Sequence, residues 1–463
     1  MDEKMLTAPA STLAEAIRDK QVSSRELLDG YLARIDRLGG PINAVVTLDV
    51  DRAHAAATAA DDATVRGELK GPLHGLPVTI KDAIETEGIR STGGAVELSD
   101  HVPAADAPAV ARLKAAGAIV FGKTNLPRWS GNLQTYNELF GTTNNPWAID
   151  RTPGGSSGGA AAAVACGFTS FELGTDIGGS IRTPSHFCGV FGLKPSYGVV
   201  PQRGYLDHVT GGTTDADINV FGPIARSADD LDLLLSVLAG PEPERTPAWR
   251  LALPDPGGTS LADYRIGTWL TDPACTVDRE YLDVMSRTAD LLSDAGAKVE
   301  ESHPDVGFVE QVETFMGLIV PAVSPSLPDD VADASSGSHR AWLRHNEDRA
   351  RLGQIWARWF EDHDILLCPV AAMPCFPHDQ EGDILSRMVQ VNGVPRSHIE
   401  LIQWAGLIGV IGLPSAVPPI GRTSAGLPVG LQTVAPYLLD RRAIQVARLI
   451  SGVTGGYAVP PGF

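Results

Sequence analysis

Residues 151–194 read RTPGGSSGGAAAAVACGFTSFELGTDIGGSIRTPSHFCGVFGLK, and the rest of the chain is organised around this stretch. It carries two serines in glycine-rich surroundings: Ser156 in Gly154-Gly155-Ser156-Ser157-Gly158-Gly159, and Ser180 closing Asp176-Ile177-Gly178-Gly179-Ser180. A short alanine-rich helix is predicted between them. Glycines beside a hydroxyl allow positive φ and let a ligand approach main-chain N–H groups, which is what a developing negative charge needs. The pattern points to acyl transfer. A structural alternative makes the glycines turns and Ser156 or Ser157 the N-cap of the helix. A phosphate loop is excluded, because no Lys-Ser or Lys-Thr follows Gly159 and no G-x-G-x-x-G follows a strand.

Gly154 to Gly158 also matches G-x-S-x-G, the nucleophile elbow that follows a buried strand. The preceding run, Asn144 to Pro153, has two prolines and many polar residues and reads as a loop. Thr169 to Thr175, by contrast, reads as a short strand arriving at the turn that carries Ser180, so Ser180 is the better nucleophile. Two residues are candidates for its base. His186 lies just after the turn, and Lys81 ends the apolar run Gly75-Leu76-Pro77-Val78-Thr79-Ile80. A strand-end lysine also has a structural explanation, in which its stem lies along apolar surface and its head reaches water.

The chain has 463 residues, with 37 Lys plus Arg against 56 Asp plus Glu and a formal charge of −19. That charge repels polyanions, which argues against nucleic acid or anionic membranes as partners. Five cysteines without a C-x-x-C pair read as reduced core residues of a cytoplasmic protein. MDEKMLTAPAS has no secretory apolar segment. The uncharged stretch Trp404 to Gly421 contains three prolines and reads as a buried segment, not a membrane span. No linker, repeat or charge block divides the chain.

Two helices are predicted over 11–38, broken at Gln21-Val22, with Ser23 to Glu26 as a capping box. Helices follow over 51–61, 107–116, 229–239, 281–295, 337–362 and 441–451. Strands are expected over 73–84, 118–123, 265–270, 298–300 and 364–370. This alternation implies an α/β fold, a largely parallel or mixed sheet covered by helices on both faces. Trp342, Trp356 and Trp359 read mainly as packing. Segments 204–217 and 376–399 read as irregular loops bordering a pocket.

Taken together, the lysine at the strand end, the GGSSGG loop and TDIGGSIR followed by GVFGLKPSYG resemble the amidase signature family, hydrolases with a Ser-Ser-Lys triad. The two serines are 24 positions apart, as in that family. The resemblance implies a three-layer α/β/α fold with a large mixed central sheet, in one domain over 1–463. Its core is 73–222, with N-terminal helices over 1–62 and a variable pocket region over 240–400. It implies Ser180 as nucleophile, Ser156 as bridging serine after a cis peptide, and Lys81 as base. The oxyanion hole is implied at Ile177, Gly178, Gly179 and Ser180, and the substrate wall at Ser130, Gly131, Asn132 and Thr175. Ser157, Asp176 and Arg182 are implied as supports behind these groups. No metal or cofactor is implied. The expected substrate is a small neutral amide, anilide or carbamate, and a homodimer is compatible with the resemblance. Two alternatives stand beside it: a glutaminase subunit of a tRNA-dependent amidotransferase, and a catalytically silent binding member.

Overall fold

The two N-terminal helices form over Ala10–Arg18 and Ser24–Leu38. Ser23 caps the second by accepting from Glu26 N while the Glu26 carboxylate accepts from Ser23 N, so the capping box satisfies two helix-end donors reciprocally. The computed structural model describes residues 2–209, 211–327 and 329–463. The central sheet has eight strands in the order Lys298–Glu301, Arg265–Thr268, Ile365–Cys368, Gln432–Val434, Ser415–Val417, Phe191–Lys194, Val220–Ala225 and Glu172–Asp176. The first three run parallel, and every later pair is antiparallel. With helices such as Ala228–Leu238 and Asp440–Thr454 packed against it, this is the mixed-sheet α/β architecture that the alternation implied.

The strand carrying Lys81, Pro77–Lys81, is not part of that sheet. It pairs parallel with Ile119–Thr124, which pairs antiparallel with Val45–Leu48, giving a separate three-stranded sheet. Between the two sheets, single hydrogen bonds replace a ladder: Thr79 N donates to Thr169 Oγ1 and Ser170 N to Pro77 O. Lys81 is thereby brought beside the edge strand Glu172–Asp176 of the large sheet. The helix between the serines is Gly158–Ala165, GGAAAAVA, and every residue of it is buried. Small side chains let it sit close against both sheets, where larger ones would force the layers apart.

Two sequence expectations change. The segment 376–399 is not wholly irregular, because Met388–Val391 and Val394–Ser397 form an antiparallel hairpin across Asn392-Gly393, both at positive φ. Asn-Gly is the strongest short-range hairpin signal, so this element was legible. The helix Phe308–Val323 was not anticipated, and its C-terminal end reaches the candidate site. Among the described residues, no helix is long and apolar enough to cross a membrane.

Candidate active site

Lys81 is fully buried, and its Nζ lies 2.7 Å from Ser156 Oγ and 2.7 Å from Thr175 Oγ1. Burial holds its pKa well below the ordinary lysine range, against the opposing charges of Asp176 and Glu172. The peptide Gly155–Ser156 is cis. Gly155 has to be glycine because a Cβ there would lie 2.4 Å from the Asn132 carbonyl oxygen. Ser157 occupies the N-cap position of the alanine-rich helix, as the structural alternative has it, but its side chain makes no capping hydrogen bond. Ser157 N donates instead to Ser180 O at 3.1 Å, tying the two serine segments together, and Ser157 Oγ donates to Thr175 O.

Ser180 is 7% exposed, and its Oγ has no hydrogen-bond partner among the described residues. The turn before it is built on Asp176, whose carboxylate accepts from Gly179 N at 2.9 Å, Ile181 N at 3.1 Å and Arg182 N at 3.3 Å. The Arg182 guanidinium donates to the same carboxylate through Nε at 3.0 Å and Nη2 at 2.8 Å. Both side chains are wholly buried. Burial pushes Asp176 up, but the Arg182 charge and hydrogen bonds overcome it and hold the carboxyl at about 2. The expected support by Asp176 and Arg182 is therefore a specific one. It also corrects the expected oxyanion hole, because Gly179 commits its N–H to Asp176. The N–H groups of Ile177, Gly178 and Ser180 have no acceptor among the described residues.

His186 is removed as a base for Ser180. Its Nδ1 accepts from Gly430 N at 2.7 Å and its Nε2 lies 3.2 Å from Met373 O, and burial lowers its pKa to about 4. Thr175, expected on the substrate wall, bonds to Lys81 instead. Asn132 Oδ1 accepts from Gln134 N, while Ser130 and Gly131 line a small cleft. Trp129 and Ile177 line it as well, and Trp129 and Ser130 are consecutive non-glycine residues at positive φ. Such backbone persists only where the surroundings fix it. Trp356 and Trp359 are bound elsewhere, to Gln311 and Ser302.

Tyr205 and Asp207 line the cleft from the expected pocket loop, whose position 210 lies outside the described residues, whereas sequence reasoning missed Ala322, Val323, Pro325 and Ser326 at the end of the unanticipated helix. No sequence signal marked the latter group. Asp207 means that the cleft is not uncharged; its Oδ1 lies 2.6 Å from His208 Nδ1, and burial raises its pKa.

A buried lysine beside a serine, a second serine on a glycine turn and a mixed α/β sheet together define a class of hydrolase. The amidase family model matches residues 26–323 and 319–444, and the chain belongs to the amidase signature family of C–N hydrolases. The A-type subunit of the glutamyl-tRNA(Gln) amidotransferase from Roseiflexus sp. (strain RS-1) is 30% identical, over 97% of each chain. An indoleacetamide hydrolase from Bradyrhizobium diazoefficiens is 32% identical, over 96% of this chain and 86% of that one. The crystal structure of a bacterial aryl acylamidase of the amidase signature family superposes with a TM-score of 0.86 at 26% identity, covering 98% of this chain and 99% of that one.

Proposed function

We propose that this protein hydrolyses the C(=O)–N bond of small neutral amides, anilides or carbamates through an acyl-enzyme on Ser180. The observation that carries the reading is the 2.7 Å contact between the buried Lys81 amine and Ser156 Oγ. A neutral amine has two N–H donors and one lone pair. Donation to Thr175 Oγ1 leaves the lone pair for the Ser156 hydroxyl proton. As Ser180 Oγ attacks the carbonyl carbon, its proton passes to Ser156 Oγ while the Ser156 proton passes to Lys81 Nζ. The tetrahedral oxyanion is met by the N–H groups of Ile177, Gly178 and Ser180, donors worth roughly 3–4 kcal/mol each in other enzymes. The relay then runs in reverse, protonating the leaving nitrogen as the C–N bond breaks. Water attacks the ester by the same route, which releases the acid and restores Ser180.

Asp207 and the chain's net charge of −19 both disfavour anionic substrates, which supports the neutral class. The same acidity argues against nucleic acid or an anionic membrane surface as a partner, and five buried free cysteines fit a reducing, cytoplasmic setting. The full-length similarity to the glutaminase subunits of tRNA-dependent amidotransferases favours a second reading, glutamine hydrolysis within a complex. The purified protein, assayed alone for kcat/KM on an aryl acetanilide, a small urethane, a fatty amide and glutamine, separates the two. Turnover of the neutral substrates with little on glutamine is expected. A clear preference for glutamine, or dependence on partner chains, overturns the first reading, and no turnover of any substrate together with no serine labelling indicates a silent member.

A further inference from the structure

Glu172 is a buried ionisable group that the reaction above does not use. It opens the strand Glu172–Asp176, is fully buried, and neither carboxyl oxygen has a close hydrogen-bond partner among the described residues. The hydroxyls of Thr79 and Thr124 face it and have no other partner. These two threonines bracket Lys81: Thr79 lies two residues earlier on the same strand, and Thr124 stands opposite Lys81 in the parallel register. Glu172 thus lies behind the lysine, close enough for its charge to act on it.

Among the described residues, no neighbour supplies it with a counter-ion of its own. Arg182 is committed to Asp176. Lys123, the cation whose charge reaches Glu172, donates from Nζ to Ile84 O and Thr86 Oγ1, and its strongest opposite charge is Asp82, whose carboxylate accepts from Thr92. Lys114 and Asp106, whose charges reach Lys123, pair with each other. The adjoining strand Val220–Ala225 and the helix Gly158–Ala165 contain no ionisable residue. A carboxylate in this position can take the two threonine hydroxyls but is desolvated and has no counter-ion of its own, whereas the protonated acid can donate to one threonine and accept from the other at no charge-burial cost. Burial pushes the Glu172 carboxyl up to about 8, against the threonine hydroxyls and Lys123.

We propose that Glu172 is a positioning residue for the reaction, a buried carboxyl whose charge state sets that of Lys81. As a neutral acid it leaves Lys81 free to be an amine, and as a carboxylate it favours the ammonium form. The inference rests on Lys81 being the base. The two groups then lose their protons as a coupled pair, and the wild-type rate rises with pH in a broad, two-step curve.

The test is the pH dependence of kcat/KM, from about pH 6 to 10, for wild type and Glu172→Gln, which keeps the shape but cannot ionise. The variant is expected to show one sharper step with its midpoint at lower pH. Its advantage over wild type should be slight near pH 7, reach about threefold or more around pH 9, where Glu172 is ionised in wild type, and close to parity on the alkaline plateau. A ratio that does not change with pH, whatever its size, overturns the proposal. Should the variant fail to fold, the infrared spectrum of the wild-type protein decides instead. A protonated-carboxyl band present at about pH 7 and lost by about pH 9.5 is expected, and its absence at pH 7 overturns the proposal. Retained turnover in Lys81→Met refutes the lysine base itself. Parallel profiles alongside an inactive Lys81→Met refute only the role of Glu172.

Discussion

Replacing Asp176 with asparagine tests how the Ser180 turn is held. The carboxylate takes five hydrogen bonds, from Gly179 N, Ile181 N, Arg182 N and two guanidinium nitrogens. Asparagine keeps one acceptor oxygen, and its NH2 group faces donors, so about half of these bonds are lost. The buried Arg182 then keeps one bond to the asparagine oxygen, with Ala405 O and Gln432 Oε1, all of them uncharged acceptors. Breaking a buried ion pair in this way costs about 3–5 kcal/mol, which urea unfolding measures. The pH dependence has a definite sign. The Asp176 pKa is about 2 in the folded protein against an ordinary 3.8, so its contribution is complete above pH 3.8 and is lost as pH falls through 2. That linkage is worth roughly 2–3 kcal/mol, so the gap between wild type and variant should narrow by that amount on acidification through this window. In activity, the displaced turn loses oxyanion donors, and kcat should fall by roughly 10²–10³. Wild-type stability together with a kcat within threefold would refute the reasoning.

Lys81→Met keeps the unbranched stem of the side chain and removes the amine, so kcat/KM should fall by about 10²–10⁴ while the melting temperature stays near wild type; steady-state kinetics and thermal melting check both. In the wild type, the rate should rise with pH, because burial lowers the Lys81 pKa and only the deprotonated amine can act; a rate that falls from neutral to alkaline pH contradicts this. Gly155→Ala places a Cβ 2.4 Å from the Asn132 carbonyl oxygen and should destabilise by about 1–3 kcal/mol in urea, with loss of turnover.

The candidate site was more legible in the sequence than its surroundings. Ser156, Ser180 and Lys81 lie in short motifs whose chemistry is local, and the fold brings the serine loops and the lysine strand together. The role of Asp176 was open in sequence, because a carboxylate four residues before a turn serine has no fixed geometry until its chain folds back on it. Gly179 was misassigned for the same reason: a glycine run advertises free N–H groups but does not show which of them a nearby carboxylate takes. The Ala322 to Ser326 side of the cleft was invisible, since no short-range pattern says which helix end meets a loop more than a hundred residues away. The strand of Lys81 was found in sequence, but its separation from the large sheet was not. That separation depends on Thr169 and Ser170 closing the gap with single bonds in place of a ladder.

The central claim is tested most directly by trapping the acyl-enzyme site. The protein is treated with a fluorophosphonate, digested, and mapped by mass spectrometry, in wild type, Ser180→Ala and Ser156→Ala. A single adduct on Ser180 is expected in wild type, with none in Ser180→Ala and a greatly slowed reaction at Ser180 in Ser156→Ala. An adduct on Ser156 that persists in Ser180→Ala would contradict the account and make the glycine loop at 154–159 the nucleophile's home.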